Sequence, residues 1–260
     1  MALVRAELLK LTTTRLWWVM LGSNLLYAAL QLGLTIGLAD QPVAPGAPPL
    51  LPGRTTAQFQ EVVWGLGAAT TLFAMIIGVV MVTAEYRYQT ITGTFLTTPR
   101  RERVVAAKLL AGGVVGVAFG LAVLLLTAIA LVVTEALTGG SLVLSGRVAR
   151  IAVGVLGVFV LYTLFGIGIG ALVRNQVGAV LAAVGWVFLV ESLVGAIPAL
   201  HPVGRWTPGG AANAVTSSGV SLGYDPGYLL PAWGGAAVLL GYALVFAAVA
   251  SVTTLRRDIT

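Results

Sequence analysis

Nine carboxylates, a single histidine and no cysteine are all that this 260-residue chain offers to acid–base, metal or thiolate chemistry. The missing cysteine excludes disulfides, thiolate catalysis and cysteine-ligated metals, and a lone His201 makes a histidine-built metal cluster impossible. The acids are scattered, so no cluster of titratable groups marks a membrane-embedded enzyme. The polar residues that do gather lie in Glu85–Lys108, a basic island between two long apolar segments. If Glu85–Leu96 is helical, Tyr88, Ile91 and Phe95 share one face and Glu85, Gln89 and Thr92 another. Thr98 then reads as an N-cap and Pro99 as a first-turn residue of the next helix. The spacing predicts a short interfacial helix, a break, and a helix start carrying Arg100, Arg101 and Arg103. Anchoring at anionic headgroups, worth about 1 kcal/mol per arginine, accounts for those arginines. It does not account for the amphipathic stretch before them.

The elements that must position this island are apolar. The chain is 58% hydrophobic and 9% charged, with a mean hydropathy of +0.98, whereas soluble domains are about a quarter charged. A helical span needs about 20 mostly apolar residues, and six segments qualify: 16–38, 62–84, 107–134, 150–173, 177–197 and 231–254. Runs of this length exclude barrel strands. The first follows Arg5, Lys10 and Arg15 and is too long for a signal-peptide core, so it reads as a retained anchor. The expectation is a single all-α polytopic membrane domain over 1–260. With the N-terminus inside, eleven of the fifteen Lys and Arg residues fall on that side and Arg54, Arg147, Arg150 and Arg205 on the other, which places both termini in the cytoplasm. Basic residues collected at span ends exclude a nucleic-acid surface. Ahead of the first span, Leu3, Val4, Leu8 and Leu11 alternate with Arg5, Glu7 and Lys10 as in a helix lying on the inner leaflet. The outer loops are a proline-rich Asp40–Glu61, a shorter Glu135–Ala149, and Pro198–Leu230, whose mixed character predicts short helices dipping into the outer leaflet.

Within the spans, Glu191 stands out. A carboxylate at depth faces a cavity or partner, so it either meets a cationic substrate, switches protonation, or sits near the outer interface, hydrated or paired with Arg205. Asn24 and Gln31, seven apart in span one, suit interhelical hydrogen bonds or a substrate path. Gly112, Gly116 and Gly120 form a small-residue row in span three, and Gly166 and Gly170 repeat it in span four, which predicts close helix packing.

Glu85-Tyr86-Arg87 with Thr90-Ile91, then Leu96-Thr97-Thr98-Pro99-Arg100-Arg101, Arg103-Val104 and Ala107-Lys108-Leu109, resembles the signature of permease subunits of type-2 ATP-binding-cassette exporters. Glu7–Arg15 and Arg256-Arg257-Asp258 resemble the actinobacterial members. The resemblance implies six spans, an N-terminal interfacial helix, a cytoplasmic coupling helix after span two that sits in a groove of the ATPase, and outer re-entrant helices between spans five and six. Carried over, the coupling residues are Glu85, Arg87, Thr90, Pro99, Arg100 and Arg101. Gln89 departs from the pattern, standing where relatives often have glycine. A phosphate-binding loop needs Gly-Lys-Ser/Thr, and neither lysine, Lys10 or Lys108, follows a glycine. The resemblance therefore implies a separate ATPase subunit carrying ATP and Mg, and a second permease, identical or paralogous. The function expected is ATP-driven export of an amphipathic, drug-like or lipid-like molecule across the plasma membrane. The alternative is an ion-coupled carrier or channel independent of an ATPase.

Overall fold

The computed structural model describes residues 2–42, 49, 51–90, 101–173, 175–216 and 226–256. The chain begins with α1 (Ala2–Thr12), followed after three residues by α2 (Leu16–Leu38). In the link, the Thr13 and Thr14 hydroxyls donate to the carbonyls of Lys10 and Leu11, and the Trp17 indole donates to that of Thr12. These side chains satisfy carbonyls that the end of α1 leaves open. α2 coincides with the first predicted span. It buries only a stripe of Asn24, Ala28 and Leu32. At its far end Asp40 takes a left-handed conformation (φ 66°). Arg54 pairs with the Asp40 carboxylate at 3.2 Å and donates to the carbonyls of Gly37 and Ala39. A cation there complements the negative end of the helix.

The second predicted span, 62–84, is a longer and broken element. α3 (Ala57–Gly65) is capped by the Thr56 hydroxyl, which accepts from the Phe59 N–H. A 3-10 turn over Leu66–Thr70 follows, then α4 (Leu72–Arg87). The break lies where the backbone at Gly67 passes so close to Val123 and Val155 that an added Cβ would stand 3.1 Å from each side chain. Thr70 and Thr71 donate back to the carbonyls of Gly67 and Ala68, the three-residue spacing of a 3-10 turn.

α5 (Arg101–Thr138) has 38 residues. At 1.5 Å per residue it is about 57 Å long against about 30 Å of hydrocarbon, so it protrudes. α6 (Gly146–Val173) follows, then a fifth element broken by one π-helical turn: α7 (Gln176–Gly185), Trp186–Val190 and α8 (Glu191–Ala196). Two short helices, α9 (His201–Gly204) and α10 (Pro208–Thr216), precede α11 (Ala232–Arg256). Among the described residues there is no strand, only an isolated bridge between Pro42 and Pro49.

Among the described residues, five helical stretches are long and apolar enough to cross a membrane: Leu16–Leu38, Ala57–Arg87, Arg103–Thr138, Gly146–Val173 and Gln176–Ala196. In α11 the corresponding apolar stretch among the described residues, Ala232–Phe246, is shorter. The chain is an all-helical, multi-pass membrane protein. Its centre is the α4–α6 pair: the stretches Ala57–Arg87 and Gly146–Val173 are mostly buried, whereas α2 and α7–α8 are mostly exposed. A Cβ on Gly166 would overlap the Met75 carbonyl, and one on Gly78 the Thr163 carbonyl, so the backbones of α4 and α6 touch. From α5, Gly112, Gly116 and Gly120 all face α6, against Ile167, Val160 and Leu156. Without water to drive apolar association inside lipid, such close van der Waals contact is what holds spans together.

At the end of the bundle away from the N-terminus, buried Gln60 donates to the Glu135 carboxylate and to the Ser141 carbonyl, and accepts from the Val143 N–H. One side chain thereby ties α3 and α5 to the loop before α6. Gly166→Ala forces α4 and α6 apart and is expected to lower the thermal unfolding midpoint in detergent. Overpacking of this kind costs about 1–3 kcal/mol. Gly113→Ala, which meets open space, is expected to leave the midpoint unchanged or raised.

Candidate functional site

Four charges meet where α1, α4 and α5 converge. Glu7 and Lys10 are one turn apart on α1 and bridge at 2.7 Å. Glu85, in the last turn of α4, accepts from Lys10 at 2.6 Å and from Lys108 of α5 at 2.8 Å. Lys108 closes the ring on the second oxygen of Glu7 at 2.7 Å and reaches the Met81 carbonyl at 3.4 Å. Glu7, Glu85 and Lys108 are buried, while Lys10 is half-exposed. The chain has two lysines, and both are used here. Lysine suits the place because a compact ammonium on a flexible stem can meet two carboxylates at once. Opposite charges alternate around the ring, so it is neutral as a whole. Burial lowers the Lys10 pKa, but hydrogen bonds and attraction from Glu7 and Glu85 outweigh it and hold the ammonium above its ordinary value. The stability this adds is therefore fully present below the unfolded value of 10.5 and is lost as pH rises through the raised one.

Beyond Glu85, α4 ends by a Schellman motif. The Thr90 N–H bonds the Glu85 carbonyl at 3.0 Å, the Gln89 N–H bonds that of Tyr86 at 3.3 Å, and Gln89 sits between them at φ 55°. This is the left-handed C′ position that glycine occupies most easily. Glu85, Tyr86 and Arg87 thus belong to span two, and the helix predicted from Glu85 is interrupted at Gln89. The sterically costly residue there is the one at which this chain departs from its resemblance. Arg87 stacks over Tyr88 at 5.8 Å and donates to Gln176 at 3.4 Å. It thereby joins the end of α4 to the first residue of α7, a helix that the Asn175 side chain caps by accepting from the Gly178 N–H.

The structure brings Glu85, Arg87 and Thr90 together at this helix end. Thr98, Pro99 and Arg100 lie outside the described residues, as does most of the predicted amphipathic stretch, and Arg101 is the first residue of α5. The cluster of Glu7, Lys10, Glu85 and Lys108 was not predicted. The available signal was four charges, two of each sign, bordering apolar segments on one side of the bundle.

The polar residues within the spans go to different places. Asn24 is fully buried with neither amide atom partnered among the described residues, and nothing in the structure accounts for it. Gln31 bonds Tyr27 one turn away on α2. Glu191 accepts from the Trp186 indole, the Thr207 hydroxyl and the Gly209 N–H, each at 2.8 Å. The first of these spans five residues, the spacing of the π-helical turn, and the last places the carboxylate at the positive N-terminal end of α10. Glu191 thus pins α8 to α10. Among the described residues no group of three or more His, Asp or Glu could hold a metal.

Long apolar helices packed by glycine crossings, with charged residues gathered near helix ends, define a multi-pass membrane protein. A family model described as ABC-2 family transporter protein matches residues 3–190; the chain belongs to that family. The matched stretch includes the whole charge cluster and ends one residue before Glu191. No curated protein matches the chain. Family membership implies a partner ABC ATPase and a membrane subunit that is itself typically non-catalytic.

Lys108→Met leaves two buried carboxylates facing one ammonium and is expected to destabilise the protein by about 3–5 kcal/mol. Adding Glu7→Gln restores the balance of charge and should recover a large part of the loss, read as thermal midpoints of single and double variants in detergent. Gln89→Gly relieves the left-handed strain and is expected to stabilise by up to about 1 kcal/mol, read in the same assay.

Proposed function

We propose that this chain is the six-span permease of an ATP-driven exporter, with both termini in the cytoplasm and α11 as the sixth span. The observation that carries the reading is the charge cluster. It clamps α1, α4 and α5 at the root of residues 91–100, so a push on that segment is delivered to three helices at once. In this reading, residues 85–106 form the coupling segment, with Glu85 holding it to the bundle and Pro99, Arg100 and Arg101 meeting the ATPase. ATP and Mg are bound by that ATPase, since this sequence carries no phosphate-binding loop. The little-buried faces of α2 and α7–α8 are available to a second permease, a copy or a paralogue, or to lipid. The short helices α9 and α10 act as re-entrant elements at the outer leaflet. Short connections on that side fit an amphipathic, drug-like or lipid-like substrate gathered from the membrane.

The test is co-purification with a candidate ABC ATPase subunit and measurement of vanadate-sensitive hydrolysis. Arg100→Glu combined with Arg101→Glu is expected to insert normally but to lose complex formation or stimulated hydrolysis. Normal coupled activity in that variant would sink the coupling assignment.

A further inference from the structure

A cleft of about 550 Å³ lies between α1, the first turn of α2 and the last two turns of α4. Its floor is apolar, formed by Leu16, Val80, Met81 and Ala84, and Arg87 stands on its polar rim. Seven residues separate Val80 from Arg87, so the cleft runs about 10 Å from the helix end into the candidate span. A soluble protein stops at the membrane surface; an occupant reaching Val80 must bring its own hydrocarbon.

The mouth is cationic. Glu7 and Glu85 are matched one for one by Lys10 and Lys108. Arg87, exposed and with no carboxylate partner among the described residues, is the unmatched charge. A guanidinium presents a planar fork that fits two phosphate oxygens, and the Tyr88 ring and Gln176 side chain hold this one beside the opening. The same charge repels a cationic amphiphile.

We infer that this cleft binds an anionic glycerophospholipid, with an acyl chain along Leu16, Val80, Met81 and Ala84 and the phosphate at Arg87. Assigning that lipid to the cytoplasmic leaflet rests on the topology proposed above; the site itself does not. Its occupancy would set how firmly α1 and α4 pack beside the charge cluster.

The test is native mass spectrometry of the full chain released from detergent, titrated with phosphatidylglycerol and with phosphatidylcholine of the same acyl chains. The wild-type protein is expected to retain phosphatidylglycerol about fivefold better, the weight of one interfacial charge. Arg87→Gln, an exposed substitution, is expected to abolish that preference while phosphatidylcholine retention stays as it was. Ala84→Phe, which fills the apolar floor, is expected to lower retention of both lipids. Equal retention of the two lipids by the wild type, or a preference undiminished in Arg87→Gln, overturns the inference. Displacement of phosphatidylglycerol by inorganic phosphate alone also overturns it, by assigning the site to a free anion. The measurement has no sidedness, so a failure of the proposed topology leaves its result unchanged.

Discussion

Hydrocarbon offers no water to a carboxylate or an ammonium, so charges at the edge of a membrane bundle must find one another or stay outside. The rest of this structure is arranged around one solution to that constraint. Glu7 and Lys10 come from α1, and Glu85 and Lys108 from α4 and α5 some 75 residues or more further on; the four neutralise one another in a closed ring. Such a ring contributes less net stability than its short distances imply, because desolvation offsets most of the attraction. Its consequence is placement. Removing any member strands a buried charge, and that penalty holds α1 in one register against α4 and α5.

The ring matters because of what α4 is attached to. α4 lies backbone to backbone against α6 through Gly78 and Gly166, and α6 is pressed from another side by the glycine row of α5. Contacts without intervening side chains give little, so α4, α5 and α6 form a stiff unit. Regular α-helix is interrupted elsewhere: at the 3-10 turn between α3 and α4, at the π-helical turn between α7 and α8, and at the left-handed Gln89. The stiff unit thus ends at Gln89, a few residues inside the polar island that begins at Glu85. At the opposite end, Gln60 and Glu191 serve similar ends through hydrogen bonds rather than ion pairs. One ties α3 and α5 to a loop, and the other pins α8 to the N-terminus of α10.

Much of the helical framework was legible because lipid imposes a simple rule on sequence. Leu16–Leu38 is mostly apolar and carries no charge, and it coincides with its prediction; the glycine rows of spans three and four face neighbouring helices in the structure. Span two was legible as a segment but not as a shape. Its break at Leu66–Thr70 follows from the approach of Val123 and Val155, which no local pattern encodes. The departure at Gln89 was visible as an unusual residue, but its left-handed backbone and its role in ending α4 were not.

What this sequence determined by itself is that the chain lives in a membrane, where its long helices run, and where its polar residues are permitted, since hydropathy and helix length are local quantities. Which polar residues meet was decided by tertiary structure alone. Lys10 and Lys108 read equally well as topology markers, Glu85 as a surface contact, and Glu191 as a partner for Arg205 or a substrate. A charge near the end of an apolar span says only that it avoids lipid; its partner is chosen by the packing of helices remote in sequence. Here the crossings of α1, α4 and α5 made that choice.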